Sequence, residues 1–104
     1  MENPAPFVTA CSWIIIDGND KGDILFGKNE HESRQVASLT KIMTAYVVLQ
    51  LLTHFKLTEH SCLIRVLGIS SQLIGTTAGL LQGDQLSAWE LLHGMMLPSG
   101  NDAA

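Results

Sequence analysis

Apolar residues occur in two kinds of run, a short β-branched run near the N-terminus and a long run in the middle of the chain. Residues 7–16 are rich in Phe, Val, Trp and Ile, which favour strands. Turn-forming residues follow at 17–22, and residues 23–27 predict a second short strand. After an irregular lead-in over residues 1–8, the pattern therefore predicts a β-hairpin over residues 9–27.

The long run predicts a buried helix. Residues 38–54 carry apolar side chains on nearly every side of a helix, and such a helix is buried on most sides. Its most apolar part, residues 42–52, is too short to span a bilayer, because a transmembrane helix needs about 20 residues. The pattern therefore predicts a core helix and no transmembrane segment.

Weaker signals follow toward the C-terminus. They predict an extended segment at residues 60–70, a flexible loop at residues 75–79, and a short strand with a turn at residues 80–86. Ser87, with Glu90 three residues later, matches a capping box and predicts a helix that continues to Met96. Pro98 and the polar residues after it are expected to end that helix in a loop.

The composition narrows the class of protein only slightly. A hydrophobic share of 46% and a charged share of 15% fit a globular core, and 104 residues allow one domain or part of one. A net charge of −4, with few and scattered basic residues, argues against nucleic-acid binding. No pattern in the sequence indicates an oligomeric state.

Cysteines and the N-terminus bear on the cellular compartment. Cys11 and Cys62 are too few for a disulfide framework, and whether they pair stays open, although two small buried hydrophobes is the favoured interpretation. Residues 1–6 have neither the positive region nor the apolar region of a secretory signal peptide. The N-terminus therefore predicts no signal peptide.

No metal site or cofactor is expected. The loop at residues 17–22 is acidic, but Lys21 stands where the EF-hand pattern needs an oxygen ligand, so a plain turn is favoured over a calcium site. The four histidines do not have the spacing of metal ligands; they are His31, His54, His60 and His93.

Candidate chemistry lies at the start of the long helix. Ser38 precedes Lys41 by three residues, which places both side chains on one helical face. A lysine amine can take the proton of a serine hydroxyl where burial or a second cation favours the neutral amine, and the apolar run after Lys41 would supply part of that burial. Free backbone N–H groups at the helix start would also favour negative charge near Ser38. Alternatively, Ser38 only caps the helix.

A second element, Ser99-Gly100-Asn101, follows the last helix. S-x-x-K and S-x-N elements occur together in β-lactamases and penicillin-binding proteins. Residues 37–45 and 95–104, which surround the two elements, resemble the serine D-alanyl-D-alanine carboxypeptidases, the low-molecular-mass penicillin-binding proteins. The resemblance extends from about Thr9 to the last residue, and the family's third element, K-T-G, does not occur in these 104 residues.

The resemblance implies roles for four residues. Ser38 would be the acylated nucleophile and Lys41 its general base. Ser99 would take part in the proton path to Lys41, and Asn101 would hold the substrate amide. The partner would be a peptide that ends in D-Ala-D-Ala, or a β-lactam that imitates it, and proteins of this family are usually exported to the periplasm or cell envelope.

The resemblance also implies the fold class. It is α+β, of the β-lactamase and penicillin-binding-protein (serine transpeptidase-like) type, and we expect it to be truncated before its sheet is complete. Residues 1–104 would then be a partial catalytic domain, in which residues 38–104 form the mainly helical part with both motifs.

Two alternatives to a serine carboxypeptidase remain. The absence of K-T-G, which would bind the carboxylate of the substrate, is compatible with a catalytically inactive module that binds a peptide or a protein partner. A serine β-lactamase shares S-x-x-K, but the motif blocks are more similar to the carboxypeptidases, and no glutamate can be assigned as a deacylating base. Covalent trapping of Ser38 separates the enzyme from the inactive module.

Overall fold

The structure, a computed structural model, describes residues 4–19 and 21–104. Its contacts divide the chain into two compact units, a first unit that ends at Gln35 and a second unit from Val36 to Ala104. The regular elements, in chain order, are β1 (Trp13–Ile16), β2 (Ile24–Lys28), a 3-10 turn (Ala37–Leu39), α1 (Thr40–His54), β3 (Leu63–Arg65), α2 (Gly68–Ser71), β4 (Gln85–Ser87) and α3 (Ala88–Met96).

The first unit contains the predicted β-hairpin, in which β1 pairs antiparallel with β2. The strand predicted over residues 7–16 is too long, because β2 provides partners only as far as Trp13 and an unpaired segment gains little from strand propensity. Residues 1–3 of the predicted lead-in and Asp20 of the predicted turn lie outside the described residues.

The long helix of the second unit begins later than predicted. Ser38 lies in the 3-10 turn, and α1 runs from Thr40 to His54. No side chain caps the turn or the N-terminal end of α1. The alternative that Ser38 serves only as a helix cap is therefore wrong.

The prediction that α1 is buried on most sides is also wrong. Within the helix, Lys41 and Leu52 are buried, whereas Met43 and Tyr46 are 61% and 59% exposed. The preceding turn and α3 make the main contacts with α1 among the described elements, so one side of the helix is covered. An apolar pattern shows what a helix is able to bury, but burial also requires a neighbouring element on each face.

Two short strands form a second sheet that was not predicted as a pair. β3 pairs antiparallel with β4, with Ile64 opposite Leu86. The extended prediction for residues 60–70 is correct at β3 but wrong at its end, where α2 forms. The Ser71 hydroxyl donates to the Gly68 carbonyl at 3.0 Å, a local bond that competes with extended pairing.

β4 leads directly into α3 through the predicted capping box, which is confirmed. The Glu90 N–H donates to the Ser87 hydroxyl at 3.2 Å, and the Ser87 N–H donates to the Glu90 carboxylate at 2.8 Å. The Ser87 N–H and the Ser87 hydroxyl both donate to the Glu90 carboxylate, and these two bonds lower the pKa of Glu90. At the other end of α3, Met95 is 2% exposed and packs in the small core of the second unit, which fixes the start of the loop that follows.

Two expectations drawn from composition can be compared with the structure. Both cysteines are free, and the favoured burial is wrong for Cys11, which is exposed, while Cys62 is half-buried. In the part of the chain that the structure describes, no helix has the length and apolarity that a membrane crossing requires.

Candidate active site

Packing of α3 against α1 brings all four predicted site residues together. Lys41 lies in the first turn of α1, and Ser38 lies in the 3-10 turn before it. Ser99 and Asn101 come from the loop that follows α3. The two sequence motifs, which are far apart in the chain, therefore form one site in the second unit.

Lys41 is at the centre of the site. Its side chain is 9% exposed, and Nζ donates three hydrogen bonds: to the Ser99 carbonyl at 2.8 Å, to the Ser99 hydroxyl at 3.1 Å, and to Asn101 Oδ1 at 2.8 Å. An ammonium group has three donors, so its hydrogen-bonding capacity is filled. Because burial of an unpartnered amine is costly, these oxygen acceptors are what allow a lysine at this position.

Ser38 is connected to Lys41 through Ser99. The Ser99 hydroxyl donates to Ser38 Oγ at 2.9 Å, and the same hydroxyl accepts from Lys41 Nζ. Ser38 itself is exposed, so a ligand has access to its hydroxyl. The three side chains form a continuous hydrogen-bonded path that ends at an accessible oxygen.

The backbone is unusual on both sides of this path. Ala37 and Ser99 have φ angles of 46° and 57°, in the left-handed region that favours glycine. Such conformations cost about 1–3 kcal/mol each and persist where the surrounding contacts determine them. At Ser99 this conformation turns both the carbonyl and the hydroxyl toward Lys41.

Asn101 is fixed by a neighbouring loop. Its Nδ2 donates to the Ile74 carbonyl at 3.0 Å, and its backbone N–H donates to the Thr76 carbonyl at 2.8 Å. With the amide nitrogen engaged by Ile74, the oxygen Oδ1 faces Lys41. The Thr76 hydroxyl in turn donates to the Ser99 carbonyl, so the same loop also contacts Ser99.

Sequence reasoning missed the part that Asp102 plays. This carboxylate is 6% exposed and accepts hydrogen bonds from the Thr77 hydroxyl at 2.6 Å and from the N–H groups of Ala78 and Leu80 at 2.8 and 3.0 Å. Burial by itself would raise the pKa of Asp102, but these hydrogen bonds outweigh burial and lower the pKa to about 2. The sequence signal that could have revealed this role is a carboxylate that directly follows S-x-N. An apolar helix precedes the motif, and two small residues follow the carboxylate.

The segment 75–79, predicted to be a flexible loop, has no regular secondary structure but is held in place by many hydrogen bonds. Asn101 and Asp102 bind to it from one side, and the Gly79 N–H donates to the Thr77 hydroxyl within it at 2.9 Å.

Next to Ser38 lies an open and mostly apolar pocket of about 310 Å³. It is lined by Val36, Ser38, Leu39, Lys41, Ile42, Met95, Met96 and Ser99.

Solved structures define the class of fold. The chain is similar to the D-alanyl-D-alanine carboxypeptidase DacD of Francisella tularensis, with a TM-score of 0.85 and 31% identity over 99% of this chain and 24% of that chain. It is also similar to penicillin binding protein 5 of Haemophilus influenzae, with a TM-score of 0.78 and 30% identity over 98% of this chain and 30% of that chain. The predicted α+β fold of the penicillin-binding-protein type is confirmed.

Sequence comparison adds the family. The model of the D-alanyl-D-alanine carboxypeptidase family matches residues 1–104. DacC of Escherichia coli is 39% identical over 95% of this chain and 26% of its own length, and DacD of Escherichia coli is 35% identical over 94% of this chain and 26% of its own length. The chain belongs to the D-alanyl-D-alanine carboxypeptidase family, and it spans about a quarter of the length of these curated relatives.

Proposed function

We propose that residues 1–104 are part of the catalytic domain of a serine D-alanyl-D-alanine carboxypeptidase and contain its acylation centre. In this proposal Ser38 attacks the peptide bond between two terminal D-alanines of a peptidoglycan-type peptide. The observation that carries the proposal is the path from Ser38 Oγ through Ser99 Oγ to Lys41 Nζ. The names of the relatives, all D-alanyl-D-alanine carboxypeptidases, support the choice of substrate.

During attack, the hydrogen bonds along the path reverse. In the structure Lys41 donates to Ser99, and Ser99 donates to Ser38. For attack, Lys41 first releases one ammonium proton to solvent, and the neutral amine then accepts the proton of Ser99 while Ser99 accepts the proton of Ser38. Ser38 Oγ then bonds to the carbonyl carbon, and the proton returns by the same path to the nitrogen of the leaving D-alanine. Water hydrolyses the resulting ester and regenerates Ser38.

Asn101 both orients Lys41 and contacts the substrate in this proposal. Its Oδ1 accepts from Lys41, and Nδ2 spends one of its two hydrogens on the Ile74 carbonyl. The second hydrogen of Nδ2 is the donor that we assign to the amide carbonyl of the substrate. Because one carboxamide makes both contacts, substrate binding and the position of Lys41 are coupled.

The proposal is tested by intact-protein mass after incubation with benzylpenicillin. We expect the chain to gain the mass of one opened β-lactam, and Ser38→Ala to gain none, because acylation requires the hydroxyl. Ser33→Ala is the matched control, since Ser33 is an exposed serine of the first unit, and it should be acylated like the unmodified chain.

An adduct on Ser38→Ala would assign the nucleophile to another residue. No adduct on a chain with a native circular dichroism spectrum would contradict an acylation centre. That outcome would favour the second candidate, an inactive module that binds a peptide or a protein partner.

A further inference from the structure

Asp102 makes no hydrogen bond to Ser38, Ser99 or Lys41, yet it is one of the most buried polar side chains in the described part of the chain. It accepts from the Thr77 hydroxyl and from the backbone N–H groups of Ala78 and Leu80, all in one short stretch of the chain. A carboxylate can accept about four hydrogen bonds, and bonds to an ionised acceptor are about twice as strong as neutral ones. Asp102 therefore holds this stretch of loop in one conformation.

The same loop supports the site at its other end. We define residues 74–80 as the tether segment. Its Ile74 and Thr76 carbonyls accept from the carboxamide and the backbone N–H of Asn101, and the Thr76 hydroxyl donates to the Ser99 carbonyl. The first half of the tether segment is thus bonded to Ser99 and Asn101, and its second half is bonded to Asp102.

We propose that Asp102 is a positioning residue, which holds the tether segment so that Ser99 and Asn101 keep Lys41 in place. The consequence for catalysis rests on the proposed function, but the effect on the position of Lys41 does not. Gly100 supports this arrangement, because a Cβ there would lie 2.7 Å from Asp102 Oδ1 and 2.9 Å from the Ala78 nitrogen. The close approach of the two backbones is therefore specific to glycine.

A neutral side chain cannot replace the carboxylate fully. In Asp102→Asn the amide oxygen still accepts from one or two donors, but the NH₂ group faces N–H groups that need an acceptor. Asp102→Ala leaves all of these donors without a partner. We therefore expect a graded effect, with Asn intermediate between Asp and Ala.

The experiment measures the accessibility of Lys41 by brief acetylation with acetic anhydride and site-resolved mass spectrometry. Lys28 and Lys56 are exposed and serve as internal references. Relative to them, we expect labelling of Lys41 to rise about tenfold in Asp102→Ala and less in Asp102→Asn, because the acceptors around the amine lose their support. Asp84→Asn is the matched control, since Asp84 accepts one loop N–H, from Leu81, and should leave Lys41 protected.

Amide exchange shows whether each variant is folded. If the β3–β4 ladder stays protected while the tether segment exchanges faster, the change is local, as proposed. If Asp102→Ala loses protection throughout the chain, that variant is unfolded, and Asp102→Asn alone then tests the proposal. Unchanged protection of Lys41 in a folded Asp102→Asn would overturn the proposal.

The acylation rate provides the catalytic readout. We expect Asp102→Asn to lower the limiting rate of penicillin acylation about tenfold and also to raise the half-saturating concentration, because Asn101, which contacts both Lys41 and the ligand in the proposed function, is displaced. An equal limiting rate in a folded variant contradicts the positioning role. If the unmodified chain forms no adduct but Asp102→Asn exposes Lys41, the proposed function fails and the positioning role stands.

Discussion

Lys41 and Asp102 are two buried charged side chains of the second unit, and their charges are satisfied in opposite ways. The lysine amine donates to three oxygens of Ser99 and Asn101. The carboxylate of Asp102 accepts from one hydroxyl and several backbone N–H groups, among them those of Ala78 and Leu80. Each charge is therefore buried together with partners of the appropriate kind.

The two sets of partners differ in whether they can pass a proton onward or only hold a conformation. Backbone N–H groups can only donate, so most of the bonds to Asp102 fix a shape and cannot pass a proton onward. The partners of Lys41 include the Ser99 hydroxyl, which both donates and accepts and which is bonded to the exposed Ser38. In the proposed function, the buried charge of Lys41 is the reactive one because one of its partners leads to the exposed Ser38.

The largest effect is expected when the amine of Lys41 is removed. Lys41→Met keeps an apolar stem but no amine, and we expect the rate of acylation by benzylpenicillin to fall about a thousandfold, since general base catalysis contributes 10²–10⁴-fold. Lys56→Met, at an exposed position, is the control. A loss of less than about tenfold in Lys41→Met would contradict the role of Lys41 as general base.

Two glycines of the tether segment separate a clash with Asn101 from backbone strain. Gly75 has φ +115°, and a Cβ there would lie 2.6 Å from Asn101 Nδ2, whereas Gly79 has φ +76° and open space. Both substitutions by alanine should lower the free energy of unfolding by about 1–3 kcal/mol, measured in urea. Only Gly75→Ala should also slow acylation, by about thirtyfold, because it displaces the carboxamide that binds Lys41. Equal acylation rates for the two variants would mean that the position of Asn101 does not matter.

Two adjacent threonines compare the partners directly. The Thr76 hydroxyl donates to the Ser99 carbonyl, and the Thr77 hydroxyl donates to Asp102. We expect Thr77→Val to lower the free energy of unfolding by about 1 kcal/mol, and Thr76→Val to slow acylation a few fold with a smaller change in stability. Urea denaturation and acylation kinetics on both variants measure the two quantities. The reverse assignment of effects would contradict the division into chemistry and support.

The last prediction concerns the pH dependence of stability. The pKa of Asp102 is lowered to about 2 in the folded chain from an ordinary value of 3.8. Its contribution to stability is therefore fully present above about pH 4 and is lost as the pH falls toward 2, where the folded carboxylate takes up its proton. Between these limits the urea midpoint should fall more steeply for the unmodified chain than for Asp102→Asn. Parallel curves would show that this carboxylate does not contribute.

The residues that meet at the candidate site were easier to predict than the segment that surrounds them. Ser38 and Lys41 are three residues apart, so one turn of helix is enough to relate them, and S-x-N is equally local. The tether segment joins the site through contacts with residues more than twenty positions away. No periodic pattern encodes such contacts, and a left-handed serine at position 99 has no sequence signal.

The fold shows the same contrast between local and distant information. The hairpin and the capping box of α3 depend on neighbouring residues, and both predictions are confirmed. The burial of α1 depends on what lies beside it, so its apolar pattern predicted more burial than the described elements provide. The pairing of β3 with β4 joins strands that are separated by a helix and a loop, and strand propensity alone does not select a partner.

The left-handed backbone of Ser99 has a consequence for any attempt to make this protein more heat-resistant. A φ of 57° is less strained for glycine than for serine, so Ser99→Gly would relieve strain of about 1 kcal/mol. A library selected only for survival at high temperature should therefore enrich this substitution. The same change deletes the hydroxyl between Ser38 and Lys41, so under the proposed function the selected variants would be stable but unable to acylate Ser38.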